Sequence, residues 1–183
     1  MKVLVLTGSP HTHGTTDLLA EEFCKGAEEV GHEVTRFDTA KLNINPCIAC
    51  NYCRKNDGQC VYEYDDMIQV FPYLLTADAV VLVSPLYYFS MTAQLKKAVD
   101  RFYSINPILR ENPKRLCLIT AGADTDDWAM DAMKSHYKCI CKYLNWQEGG
   151  TLLAYGLAAR KDAENSQYKA MARNMGKELI KHS

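Results

Sequence analysis

The chain has 183 residues, 48% hydrophobic and 23% charged, enough for one domain with a full core. Its net charge is −1 and no Lys/Arg cluster interrupts it, so the sequence has no electrostatic footprint for nucleic acid or an anionic membrane. The opening run MKVLVLTGSP is too short for a signal peptide or for a span of about 20 apolar residues, which sets the expected location in the reducing cytoplasm.

In chain order, Lys2–Thr7 is a continuous apolar run and predicts a strand buried on both faces. Leu18, Leu19, Phe23, Ala27 and Val30 predict a helix over Thr16–Val30, with Gly31 at its C-terminal stop. Glu33–Asp38 alternates as a strand. Asp65–Ala77 predicts a helix that Pro72 must kink or begin. The most apolar strand is Ala79–Ser84. After it come a helix over Met91–Tyr103, a strand over Arg115–Thr120, a helix over Asp127–Leu144, a strand over Gly150–Tyr155 and a terminal helix over Asp162–His182. Repeats and linkers are absent, so residues 1–183 read as a single domain. Strands alternating with helices imply an α/β fold, a five-stranded parallel sheet with helices on both faces. Ligands of such sheets bind beyond the carboxyl ends of the strands.

Three strand-end loops therefore matter. The first, TGSPHTHGTT, runs from a buried strand straight into a helix, whose free N–H groups and positive dipole end suit an anion. It lacks the glycine pattern of a dinucleotide turn and the Lys of a triphosphate loop, which leaves a monophosphate, or a helix merely capped by Thr15 or Thr16. The second loop, SPLYYFS, sets Tyr87, Tyr88 and Phe89 at a strand exit, as a shelf for a planar ligand or as ordinary packing. The third, TAGADTDDW, places Gly122 for close backbone approach, with Asp124, Asp126 or Asp127 to cap the next helix. Together they describe a site for flavin mononucleotide (FMN), phosphate on the helix start and ring across the later loops.

On GSPHTHGTT, PCIACNYCRKNDGQC with DDM, and SPLYYFSMTAQLKKAVDR, the sequence resembles the flavodoxin-like NAD(P)H-dependent FMN reductases, and among them the iron–sulfur flavoproteins. The likeness runs from Met1 to about Gly156. It implies a flavodoxin-like three-layer sandwich with strand order 2-1-3-4-5. It also implies phosphate contacts from Ser9, His11, Gly14, Thr15 and Thr16, and a ring held by Pro85, Leu86, Tyr87, Tyr88, Phe89, Thr120, Ala121 and Gly122. Relatives often carry Arg or Lys where His11 stands, so this loop has less fixed positive charge. The family's habit implies a homodimer or homotetramer.

The stretch at 45–62 holds Cys47, Cys50, Cys53 and Cys60. C-x₂-C-x₂-C with a fourth cysteine close by fits a [4Fe–4S] cluster, and the resemblance implies the same. Zinc, which usually takes two separated C-x-x-C knuckles, is a second reading. Metal-free thiols are a third, since FMN reductases of this kind can keep a similar loop. Packing serves Cys24, Cys117, Cys139 and Cys141 better than it serves a polar loop.

The expected function is an FMN oxidoreductase with NAD(P)H as co-substrate and a quinone, a flavin, another small molecule or a protein as acceptor. No side chain need act as a catalytic acid or base, because the chemistry sits on the flavin. A pure electron carrier and a redox sensor are the rivals. Flavodoxins used as carriers are usually strongly acidic, and this chain is not.

Overall fold

The computed structural model describes residues 1–179. Its sheet has five parallel strands: β1 (Lys2–Thr7), β2 (Glu33–Asp38), β3 (Ala79–Pro85), β4 (Arg115–Ala121) and β5 (Gln147–Ala154), in the order β2-β1-β3-β4-β5. Strands β1, β3 and β4 are apolar without alternation because each has a helical layer on both sides, whereas the edge strands β2 and β5 are more polar and more exposed. Leu4, Leu6, Val80, Leu82, Leu116 and Leu118 face one layer. That layer contains α3 (Met67–Thr76), α4 (Ala93–Asp100), α5 (Asn106–Glu111) and α6 (Asp131–Leu144). The intervening residues Val3, Val5, Val81, Val83, Cys117 and Ile119 face the other, where α1 (Thr15–Glu29) lies with α7 (Arg160–Glu164) and α8 (Gln167–Lys177). A short helix, α2 (Tyr52–Lys55), sits inside the cysteine-rich loop.

The fold class and strand order are as expected, and the differences are local. The helix predicted over Met91–Tyr103 ends at Asp100, tightens into a 3₁₀ turn over Arg101–Ile105 and restarts as α5, whose first turn holds Pro107. The helix predicted over Asp127–Leu144 opens with a 3₁₀ turn at Asp127–Met130. Strand β5 begins at Gln147 rather than Gly150, because a bulge opposite Cys117 carries the double glycine Gly149–Gly150 within the strand. The terminal helix is two helices, with Ser166 accepting the Tyr168 N–H at 3.2 Å to start the second; its predicted end, Ile180–His182, lies outside the described residues. Pro72 falls in the middle of α3. The far end of α3 is closed by the buried Lys114 ammonium, which donates to the carbonyls of Leu75 (3.0 Å) and Ala77 (2.7 Å).

The α1–α8 contact depends on two glycines. A Cβ on Gly26 would lie 1.9 Å from the Arg173 carbonyl oxygen, and one on Gly176 would lie 2.2 Å from that of Phe23. The two backbones touch there, so neither helix has room for a methyl group. Gly26→Ala is expected to destabilise the protein by about 1–3 kcal/mol, although alanine favours helix. Chemical denaturation would measure it, and an unchanged midpoint would contradict the close crossing.

Candidate functional site

Strands β1, β3 and β4 end side by side, with Thr7 opposite Val83 and Pro85 opposite Ala121. Their loops are tied together by backbone and hydroxyl bonds. The Gly8 N–H donates to the Val83 carbonyl at 2.8 Å, and the Leu86 N–H donates to that of Ala121 at 2.8 Å. Thr92 is the central knot. Its hydroxyl donates to the Gly8 carbonyl (2.7 Å) and accepts the Leu95 N–H (3.3 Å), capping α4, while its own N–H donates to the Ser84 hydroxyl (2.9 Å). A Cβ on Gly8 would stand 2.5 Å from the Thr92 hydroxyl, so α4 can approach the first loop only because that residue is glycine.

The first loop curls over the start of α1. Ser9 accepts the His11 N–H at 3.2 Å, and both lie beside Gly14. The N-cap of α1 is Gly14, with no side-chain bond to the first turn. Neither Thr15 nor Thr16 is that cap, and the leading N–H groups are left for an external acceptor. Thr16 is buried, Thr15 is half-buried and His11 is exposed. Asp17, one residue further on, accepts the His13 N–H at 2.9 Å and is paired with Arg36.

The second loop is a two-residue hairpin. The Tyr87 N–H donates to the Ser90 carbonyl at 2.9 Å, and the Ser90 N–H donates back to that of Tyr87 at 3.1 Å. Tyr88 and Phe89 between them have φ of 48° and 66°, the left-handed pair that a tight primed turn needs and that Asn and Gly normally supply. Two bulky aromatics in that region store strain, as functional segments tend to. The turn leaves Tyr88 97% exposed and stacks Phe89 on Trp128 of the third loop, ring centroids 5.2 Å apart. Of the three residues expected from that loop, Thr120 and Ala121 are buried within β4 and only Gly122 is accessible. The residue before the 3₁₀ turn, Asp126, makes no side-chain cap; Asp124 instead accepts the Asp126 N–H at 3.0 Å.

All four loop cysteines line one cavity, together with Tyr62 and Arg101. Cys47 and Cys50 are exposed, and Cys53 and Cys60 are half-buried. Ala49 and Asn51, on either side of Cys50, have φ of 54° and 58°, so the loop is held against local preference. Its neck explains how. Arg101, at the end of α4, is 1% exposed and ion-paired with the buried carboxylate of Asp65. The guanidinium also donates to the carbonyls of Asn45 (3.0 Å) and Tyr62 (3.3 Å), the two ends of the loop. Asp65 in turn accepts the N–H groups of Asn45 (2.9 Å) and Met67 (3.1 Å). Burial pushes the Asp65 carboxyl up, but Arg101 and the two N–H groups outweigh it and hold it below the ordinary carboxylate range. Among the described residues no three of these sulfurs lie within 4.8 Å of one another. One zinc with bonds of about 2.3 Å would draw its thiolates to about 3.8 Å apart, whereas a four-iron cluster binds each thiolate to a different iron and spreads them.

The remaining cysteines are quieter. Burial raises the thiols of Cys117 to about 12, and of Cys24 and Cys141 to about 11, which keeps them protonated packing groups. Cys139 departs from the expectation of burial: it lies exposed on α6.

The model for NADPH-dependent FMN reductases matches residues 1–145. The chain belongs to that family. Among its relatives is an iron–sulfur flavoprotein of Methanocaldococcus jannaschii, 39% identical over 101 residues, 55% of this chain and 51% of that one. The chain spans about half the length of the curated relatives it matches. The fold resembles NAD(P)H:quinone oxidoreductase from Methanothermobacter marburgensis (TM-score 0.76, 17% identity, 100% of this chain and 98% of that). It also resembles an FMN-dependent NADH-azoreductase from Bacillus anthracis in complex with FMN (TM-score 0.72, 14% identity, 98% and 99%).

As an FMN reductase family member, the chain gathers the residues expected from its first two loops, and Gly122, at one sheet edge. The cysteines occupy a separate cavity. Sequence reasoning missed Thr92, Trp128, Asp65 and Arg101. Trp128 stood in the third loop, but Thr92 and the ion pair act across 84 and 36 residues of chain, which no local pattern reports.

Two outcomes follow from this geometry. Tyr88→Asn removes an exposed ring and installs a residue at ease in a primed turn, so the flavin-free protein should gain about 1 kcal/mol in thermal or urea unfolding. A loss of stability would deny the strain. Because the Asp65 carboxyl is depressed in the folded state, its contribution is complete above the unfolded value near pH 4 and fades as the pH falls through the folded one. The stability gap between wild type and Asp65→Asn should therefore narrow from about pH 7 to about pH 3; a constant gap would mean that the pair does not titrate this way.

Proposed function

We propose that the protein is an FMN-dependent oxidoreductase that takes reducing equivalents from NAD(P)H and passes them to a quinone, a flavin, another small molecule or a protein. In this reading the four loop cysteines hold a [4Fe–4S] cluster, and the protein works in the cytoplasm as a homodimer or homotetramer. The observation that carries it is the meeting, at one sheet edge, of an uncapped helix start and a strained aromatic hairpin. The names of its relatives, an iron–sulfur flavoprotein and reductases using FMN or quinone, agree with it.

The residues fit both groups. An α1 start with no side-chain cap suits a monophosphate, with Ser9, His11, Gly14, Thr15 and Thr16 around it. Pro85–Phe89 and Gly122 offer the ring a shelf of aromatic faces and backbone. Four thiols on one cavity, three of them in a C-x₂-C-x₂-C run, suit a multi-iron group. FMN and the cluster, when bound, would supply the redox chemistry, the flavin accepting hydride from nicotinamide and the cluster carrying single electrons. The chain's own work is to bind and to orient. Of the backbone N–H groups at 86–90 and 121–123, those of Leu86, Tyr87, Ser90 and Gly122 are spent on carbonyls of the protein, so those of Tyr88, Phe89 and Ala123 are the candidates to stabilise negative charge at the ring's edge. Phe89 and Trp128, in ring contact, would border one side of the flavin, and the exposed Tyr87 and Tyr88 are available to a planar partner.

The deciding measurement is FMN, iron and acid-labile sulfide per chain after purification without oxygen, followed by mixing with NADH or NADPH and an acceptor. Bound FMN, about four irons and four sulfides, and fast pyridine-nucleotide oxidation are expected. FMN without turnover would move the function to an electron carrier or sensor. Failure to bind FMN would end the proposal.

A further inference from the structure

The neck of the cysteine loop needs a clamp, and Arg101 supplies one, but the clamp does not use all of the guanidinium. Nη1 is spent on Asp65 and the Asn45 carbonyl, and Nη2 on the Tyr62 carbonyl, with the Tyr62 ring 5.4 Å away. The Nε–H is buried and has no partner. A charged donor left unpaired inside a protein costs free energy, and folded proteins rarely leave one so. The same side chain lines the cavity that all four cysteines line. A neighbouring carboxylate on that cavity, Asp100, is already engaged by Lys96. Of the other polar side chains on that cavity, Asn51 and Tyr103 bond each other and Ser104 bonds the Arg101 carbonyl, so the four cysteines, as thiolates, are the anions a cationic donor would meet there. Lysine would carry the same charge without this planar fork.

We infer that Arg101 is a positioning residue for the group held by Cys47, Cys50, Cys53 and Cys60: while its outer nitrogens fix the loop, its Nε–H is donated to a sulfur of the cluster. This rests on the cluster reading above. Adding one electron to a thiolate-bound cluster makes it more negative, so a cationic N–H donor favours the reduced form and raises the potential. It would also slow loss of iron, as partners behind the ligands of metal sites do.

The test compares wild type, Arg101→Lys and Asp65→Asn, all purified without oxygen, by electron paramagnetic resonance during a redox titration and by cluster loss to a chelator. FMN content reports the fold. Arg101→Lys should titrate at a more negative potential and lose its cluster about tenfold faster. Asp65→Asn breaks the clamp but keeps the Nε–H, so its potential should move less. Equal potentials in wild type and Arg101→Lys, or an equal shift in Asp65→Asn, would reduce Arg101 to a structural clamp. Because Arg101→Lys can fail to fold, a second readout uses the wild type alone. With ¹⁵N-arginine incorporated, the reduced cluster should show a ¹⁵N hyperfine coupling, and its absence overturns the inference. A wild type that binds FMN but holds no iron or sulfide would instead refute the cluster reading, and the role of Arg101 with it.

Discussion

The buried pair of Arg101 and Asp65 sets where the cysteine loop can be. Removing either charge from its partner inside a protein costs about 3–5 kcal/mol, so the two side chains cannot be separated cheaply. Arg101 closes the α4 helix, and Asp65 stands two residues before α3. Their pairing therefore fixes the chain on either side of the loop to the sheet layer below. The loop itself contributes little to any core: Ile48 and Val61 are exposed, and α2 buries none of its residues. It keeps its shape because its ends are held, with Asn45 and Tyr62 both bonded to one guanidinium.

A different constraint shapes the sheet edge. Parallel strands present a row of loops whose polar backbone must be satisfied as they leave the core. Here several of those bonds run from the first residues of a loop to the end of the neighbouring strand: Gly8 to Val83, Leu86 to Ala121, Gly122 to Ala154. Those bonds brace the edge, and it is in that setting that a primed turn filled with Tyr88 and Phe89 is held. A looser edge would let the hairpin relax and withdraw its rings. The first loop carries no Lys or Arg, and at the start of α1 it offers helix N–H groups and hydroxyls in place of charge.

Most of the fold was legible because burial on both faces leaves an unmistakable mark. The apolar runs of β1, β3 and β4 could be little else, and the expected strand ends at Thr7 and Asp38 agree with the structure. The errors cluster where the pattern thins. At Arg101–Ile105 a helix tightens and restarts with no break in hydrophobicity, at Gly149–Gly150 a bulge hides the start of β5, and at Asn165–Ser166 a polar pair splits one apparent helix. The candidate site was legible where its residues are contiguous, in the first two loops and the cysteine run. It was illegible where a residue works on a distant segment. Arg101 reads as one more cation on an amphipathic helix until the fold shows that its neighbours are Asp65, Asn45 and Tyr62.

Helix α4 joins these two halves. Its N-terminal cap, Thr92, is the knot of the sheet edge, and its C-terminal cap, Arg101, is the grip on the cysteine loop. Nine residues at 1.5 Å each separate them by about 14 Å along the axis. Because the helix face between them, at Leu95 and Ala98, is fully buried against the sheet, that separation cannot change without unpacking the core. A flexible tether would let the cysteine loop wander relative to the first two loops; a packed helix does not. If the edge binds a flavin and the loop binds a cluster, their spacing within one chain is a property of the fold rather than of either ligand. The same helix makes each end sensitive to the other, since tilting α4 to relieve a lost cap at Thr92 would also pull the guanidinium from the neck of the loop.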